Sequence, residues 1–344
     1  MTKVVFITQQ VDPRHPALAA TVPKVAALAA LVDEVVVLAD GAVPGVLPEN
    51  CRVRTFRAGR RALRGARFEA ALACELPGLR GGAVVAHMCP IYAVLATPLA
   101  RPLRIPLVLW FTHWRASDLL KAAERLSTAV TSVESRSFPF PSRKLRAIGH
   151  GIDLSEFPCA PPRGGAGTRL LALGRYSTAK GLDVLVASVP LAGDDVELHV
   201  HGPSLSEDER AHRRELEQLV GELGLEGRVT IGDSVPRPEI PALLASHDAL
   251  VNNMRAGAPD KVVYEAAASC VPVLASNPIF DELLAPEQRF TRWDPNALAD
   301  RIRGLAAMSP AERAALGARL RERVAESHSV QSWARGILDA AGIA

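Results

Sequence analysis

Along most of the chain, short runs rich in Val, Leu and Ile alternate with Ala/Leu-rich stretches of helical period. Continuous apolar runs of strand length mark strands buried on both faces, and helical segments between them serve as the crossovers of a parallel sheet. In the first half the strands read KVVFIT, EVVVLA, CRVRTF, AVVAH, PLVLWFTH, AVTSV and KLRAIGHG. In the second half they read RLLALGR, VELHVHG, RVTIGD, ALVNN and PVLAS. Between the halves lies FPCAPPRGGAGTR, residues 157–169, dense in Pro and Gly and without periodicity, the best linker in the sequence. Each half has the length of a doubly wound α/β domain with right-handed crossovers. From Pro295 onward the pattern is helical, and the last helix, around Trp333 and Ile337, is expected to pack back onto the first half.

Composition narrows the class. The 344 residues are 48% hydrophobic and 22% charged, ordinary for a globular enzyme of about two domains. A formal net charge of +3 and an aromatic content of 5% argue against a nucleic-acid partner. The five cysteines, Cys51, Cys74, Cys89, Cys159 and Cys270, form no C-x-x-C pair and are odd in number. They are expected to be reduced, buried thiols of a cytoplasmic protein, with no disulfide framework or zinc site. MTKVVFITQQ reads as a first strand and not as a signal peptide, and no apolar run approaches the roughly 18–20 residues of a membrane span.

In open α/β sheets ligands gather at the carboxyl ends of strands, so the strand-to-helix loops are the places to inspect. In LLALGRYSTAKGLDVLV a strand ends at Gly174-Arg175, and Lys180-Gly181 opens a helix. An Arg and a Lys so placed are able to converge on one diphosphate, as a planar fork and a point charge; the plainer reading is a pair of surface cations. In VELHVHGPSL a strand runs into Gly202-Pro203-Ser204, a tight loop that lets backbone approach a ligand. The loop 233–237, with Val235, lies at the end of the next strand and is placed to hold a planar base through backbone groups. In VNNMRAGAPDKVVYEAAASC, Pro259 keeps the chain extended and Asp260 is a favoured N-cap. The amides of residues 261–263, Val262 among them, then point out of a helix start, where an anion is favoured. Lys261 and Glu265 share one face, either as a solvated i,i+4 pair or as a charge for a phosphate and an acceptor for a ribose diol.

Taken together and in this order, GRYSTAKGLDVLV, VHGPS, ELGLEGRVTIGDSVP and DKVVYEAAASCVPVLAS resemble the C-terminal domain of retaining glycosyltransferases of family 4, of GT-B fold; GHGIDLSEF, residues 149–157, resembles the same family's interdomain segment. The resemblance implies an α/β protein of two doubly wound Rossmann-like domains facing each other across a cleft. Residues 1–157 would bind the acceptor, joined by the C-terminal helix at about 328–344, and 158–327 would bind a nucleotide sugar. Arg175 and Lys180 would bind the donor diphosphate, with Gly174 beside them, Glu265 would hold the ribose, and the amides at 261–263 would meet the phosphates or sugar. His113, closing VLWFTH, matches a position where the family often carries a histidine near the donor sugar. The family's glutamate eight residues before the ribose-binding one is here Gly257, and Asp260 is the residue expected to substitute for it. The loop after the first strand, TQQVDPRHPALAA, lacks the family's Gly pair, which makes Gln9, Gln10, Asp12, Arg14 and His15 candidate acceptor contacts.

The implied reaction is transfer of a sugar from a UDP- or GDP-sugar to a hydroxyl of a glycan, lipid-linked or small-molecule acceptor. No cofactor is implied. Nor is a metal, since no D-x-D motif occurs and Lys and Arg would take a divalent ion's place. The run RVRTFRAGRRALRGAR, residues 52–67, holds seven arginines and no acid. It is either a solvated basic face or a peripheral contact with anionic lipid at the inner face of the membrane. A nucleotide-sugar epimerase of GT-B fold and an inactive nucleotide-sugar-binding relative are the alternatives.

Overall fold

The computed structural model describes residues 2–15 and 18–343. The chain divides into two compact units, Met1–Asp153 with Ser327–Ala344, and Leu154–Glu326. The first is built on seven strands: β1 (Lys3–Val11), β2 (Glu34–Ala42), β3 (Cys51–Thr55), β4 (Ala83–His87), β5 (Leu107–Trp110), β6 (Ala129–Ser132) and β7 (Leu145–Ala147). They form one sheet in the order β3-β2-β1-β4-β5-β6-β7, every pair parallel. The second unit holds β8 (Thr168–Leu173), β9 (Val196–His201), β10 (Val229–Gly232), β11 (Ala249–Asn252) and β12 (Val273–Ala275), parallel in the order β10-β9-β8-β11-β12. All twelve apolar runs of the sequence therefore become strands. In β1, Val4 to Ile7 are wholly buried because helices cover both faces, which is why their pattern is continuous instead of alternating.

Strand β1 outlasts its apolar run. It continues to Val11, paired with Gly41 and Ala42 of β2, so Gln9 and Gln10 lie on a strand and not in the loop expected there. The last helix, Val330–Ala341, buries Trp333, Ala334 and Ile337 within the first unit, with the Trp333 ring edge-on to Phe6 and Trp110.

Of segment 157–169, residues 157–167 have no regular structure, Thr168 and Arg169 already belong to β8, and the segment is fastened to the second unit. Arg163 donates twice to Asp248 Oδ2, at 3.0 and 2.9 Å, and Ala160 N donates to Ser269 O at 3.0 Å. Cys159 forms a disulfide with Cys270 across 111 residues, with Cα atoms 4.9 Å apart. This overturns the expectation of reduced thiols: two lone cysteines with no local partner meet only because the segment folds back onto the end of the helix Lys261–Ala268. Of the three free thiols Cys89 alone is buried, and burial pushes it up to about 12; Cys51 is half-buried and Cys74 exposed.

Candidate functional site

At the carboxyl edge of the second sheet, the chain leaves β8 at Gly174, passes through a single 3-10 turn, Thr178–Lys180, and enters a helix at Leu182–Ala192 through Gly181 in the left-handed region. Gly174 N donates to His201 O at 2.9 Å, and a Cβ on Gly202 would lie 2.0 Å from the Gly174 carbonyl oxygen. The loops after β8 and β9 thus touch backbone to backbone, a packing closed to any side chain at Gly202.

The Lys180 ammonium donates to Leu173 O at 2.7 Å and to Asp260 Oδ2 at 2.5 Å, and Asn252 Nδ2 donates to the same carboxylate oxygen at 2.8 Å. The two charged side chains are only 11% and 15% exposed. One ion pair therefore joins the ends of β8 and β11 to the helix Lys261–Ala268. Asp260 occupies the N-cap position of that helix, yet its side chain makes no capping hydrogen bond. Its carboxylate is spent on Lys180 and Asn252, which leaves the first-turn amides uncapped by a side chain.

Glu265 is nearly buried, its side chain 4% exposed, and its Oε1 receives Lys261 Nζ and Arg237 Nη1, each at 3.0 Å. Arg237 also reaches Glu156 at 2.5 Å. Burial works against the Arg237 charge, but Glu265 and Glu156 outweigh it and hold the guanidinium above its ordinary range. The Lys261–Glu265 pair of the sequence is thus the visible part of a network whose other members, Arg237 and Glu156, left no sign in residue spacing.

Arg175 is not drawn to the Lys180 cluster. Its exposed guanidinium meets Glu209 Oε1 at 3.0 Å, while Glu209 Oε2 accepts from Leu205 N at 2.7 Å. The two expected diphosphate cations engage different carboxylates, and neither Glu209 nor Asn252 was marked in the sequence. Pro203 and Ser204 follow Gly202, with Ser204 Oγ buried and holding no hydrogen bond. Tyr176, whose N donates to Pro203 O, donates its phenol to Gly232 O at 2.6 Å, and burial pushes its pKa up to about 12. Val235 is half-buried in the loop 233–237, and Gly257 has a positive φ of 79°.

The remaining candidates lie in the first unit. The Gln10 side chain lies over Gly41, where a Cβ would meet its Oε1 at 2.5 Å. Asp12 Oδ1 accepts from Arg14 N at 2.8 Å and His15 Nδ1 accepts from Leu18 N at 3.1 Å, so both side chains build the turn itself. Arg14 is exposed, and Pro16 and Ala17 of the same loop lie outside the described residues. His113 is exposed, accepts Arg115 N at Nδ1 at 3.0 Å and stacks on Trp114. Partial burial, then the charge of Arg115, lower its pKa, so near neutral pH the ring is uncharged and bears its proton on Nε2.

The arginine run 52–67 is partly neutralised by acids from distant segments. Arg52 pairs with Glu34 and Glu75, Arg54 with Glu75 and Arg64 with Asp40, while Arg67 donates to Arg57 O. Beside it, a cavity of about 660 Å³ is lined by Arg61, Arg64, Glu69, Ile91, Tyr92 and Leu95. No helix among the described residues is long and apolar enough to cross a membrane.

Residues 167–308 match the family model described as glycosyl transferases group 1. No curated protein sequence matches the chain significantly. Among solved structures, the chain is similar to HepE of Anabaena in complex with UDP, at 17% identity over 99% of both chains with a TM-score of 0.77. It is also similar to the same protein in complex with UDP-glucose, at 16% identity over 99% of both with a TM-score of 0.75. Sucrose-phosphate synthase of Thermosynechococcus elongatus aligns at 19% identity over 98% of both, again with a TM-score of 0.75. The two parallel sheets and these alignments give the chain the GT-B fold.

Proposed function

We propose that the chain is a retaining, metal-independent glycosyltransferase that moves a sugar from a nucleoside-diphosphate sugar, with UDP- or GDP-sugar as donor, to an acceptor hydroxyl. The observation that carries the reading is the Lys180–Asp260 pair at the carboxyl edge of the second sheet, beside the uncapped helix start at Lys261 and inside the segment that matches the group 1 model. HepE, whose structures hold UDP and UDP-glucose, supports the donor class by fold similarity. In this reading a donor diphosphate displaces Glu209 from Arg175 and shares Lys180 with Asp260. The uncapped amides and Lys261 add positive potential, and Glu265 accepts from the ribose. As the glycosidic bond breaks, charge builds on the leaving diphosphate and these donors stabilise it. Asp260 stands in for the missing carboxylate at Gly257, accepting from a sugar hydroxyl. His113, neutral with Nε2–H exposed, is assigned as a hydrogen-bond donor to the sugar.

Gln10, Asp12, Arg14 and His15 are assigned to the acceptor. The basic, partly apolar cavity beside residues 52–67 favours an acceptor with an anionic, lipid-linked part, taken up at the inner face of the cell membrane. Incubation with labelled UDP- and GDP-sugars tests the reading. Release of nucleoside diphosphate, with retention of anomeric configuration in any transferred sugar and no loss of rate in EDTA, supports it. Isomerised sugar would point to an epimerase, and binding without turnover to an inactive relative.

A further inference from the structure

A second cluster of cations lies at the opposite edge of the first sheet, where β5 and β6 begin. A cavity of about 410 Å³ opens there, within the roughly 300–1,000 Å³ of small-molecule sites. Its charged lining is Arg101, Arg104, Arg125 and Lys144, with no acidic side chain among them. The arginines come from two segments: Arg101 and Arg104 from the 3-10 turn Arg101–Leu103 and the residue that ends it, and Arg125 from the last turn of the helix Asp118–Leu126. A solvated basic face repeats along one helix, whereas these side chains converge on one hollow from separate segments.

Lys144 has a different task from the arginines. Its ammonium donates to the carbonyls of Glu124, Arg125 and Ser127 at 3.0, 2.8 and 2.9 Å. Those carbonyls are the negative end of the helix dipole and would otherwise repel an anion at this place. With them neutralised, the three guanidinium groups set the potential of the hollow, and among the described residues no carboxylate forms an ion pair with any of them. Arg104 is held at φ 55° and ψ 29°, in the left-handed region that L side chains rarely adopt. That conformation is imposed between Arg101, whose carbonyl Arg104 N reaches at 3.0 Å, and buried Ile105. Thr128 Oγ1 accepts from Leu107 N at 3.1 Å, which leaves its own O–H to donate. Planar forks from several directions plus a hydroxyl donor match a phosphate better than a carboxylate, which offers fewer oxygens.

We propose that this cavity binds a phosphate or diphosphate group carried by a small molecule or a lipid headgroup, at a site separate from the one assigned to the sugar donor. The proposal does not depend on the glycosyltransferase reading. Equilibrium dialysis with radiolabelled pyrophosphate tests it, using wild type, Lys180→Ala and the double variant Arg101→Ser/Arg125→Ser. The substituted arginines are exposed, and a thermal melt checks that the double variant is folded. The expected result is two pyrophosphates per wild-type chain, one per Lys180→Ala chain, and loss of the other in the double variant through an affinity drop of about tenfold or more. If Lys180→Ala binds as much as wild type while the double variant loses a site, the cavity stands and the donor assignment falls. If the double variant binds as wild type does, or Lys180→Ala abolishes all binding, the proposal is overturned. Co-sedimentation with phosphatidylcholine vesicles containing phosphatidic acid then separates the two sources. Capture that the double variant loses identifies a lipid headgroup, and pyrophosphate binding without capture identifies a soluble phosphorylated ligand.

Discussion

The two units have the same architecture and treat the ends of their strands in opposite ways. In the second, charged side chains at the carboxyl edge are drawn inward and paired: Lys180 with Asp260 across 80 residues, Arg237 with Glu265 across 28, and Lys261 with Glu265 one helical turn away. In the first, Asp12 and His15 are used up in building their own turn, and Arg14 and His113 stay exposed. Desolvated ion pairs next to glycine-tight backbone are costly unless something else is gained, and an anionic ligand that exchanges for one partner is such a gain. Self-satisfied turns carry no comparable commitment. At the carboxyl edges of the sheets, the contrast fits the donor phosphate proposed for the second unit and the acceptor proposed for the first.

The sharpest way to break that contrast is to remove charge on each side of it. Lys180→Ala is expected to lower kcat/KM by roughly 10²-fold or more, the usual loss of one transition-state donor, and Arg175→Ala by a similar factor. Asp12→Ala and His15→Ala should act mainly on the KM for the acceptor. Steady-state kinetics with donor and acceptor varied separately checks both, and equal effects in the two units would erase the distinction. Next in size is the disulfide, which staples only the second unit. Reducing a link that closes 111 residues is expected to lower stability by about 2–4 kcal/mol, read as a lower melting temperature for that unit in dithiothreitol.

Asp260→Ala comes third. It leaves Lys180 with only a carbonyl and Asn252 without its carboxylate partner, and a fall of about tenfold in donor affinity is expected, matching the roughly 1.5–3 kcal/mol of a charged hydrogen bond. Intact donor binding and transfer in this variant would refute the substitution of Asp260 for the absent carboxylate. Gly257→Ala, at φ 79°, should cost about 1–2 kcal/mol in a thermal melt.

The last effect is one the two units share. His328 in the first unit and His247 in the second both have pKa values lowered by burial from 6.5 to about 4. Between those values the unfolded chain binds more protons than the folded one, so stability is full above pH 6.5 and falls as the pH drops towards 4. Chemical denaturation at a series of pH values should show that slope in both units; a flat profile would mean that these imidazoles are solvated.

How much of this was legible in the sequence follows the range of the interactions. The strands were, because a buried parallel strand must be continuously apolar. The end of β1 was not, because Gln9 and Gln10 extend the ladder through backbone bonds that any residue supplies. Lys180, Asp260 and Glu265 stood out by their place at strand and helix ends. Their partners did not: Asn252 closes an apolar strand, Glu209 sits in an ordinary acidic first turn, and Arg237 opens a 3-10 turn too short to carry a period. The disulfide was hidden in the same way, since a link between residues 159 and 270 leaves no local trace.

The most direct test of the donor assignment is calorimetric titration of UDP and GDP into wild type, Lys180→Ala and His15→Ala. The account predicts one nucleoside diphosphate per wild-type chain at the donor site, binding weakened at least about tenfold by Lys180→Ala, and binding unchanged in His15→Ala. Equal binding by wild type and Lys180→Ala, or none of either nucleotide by the wild type, would contradict it.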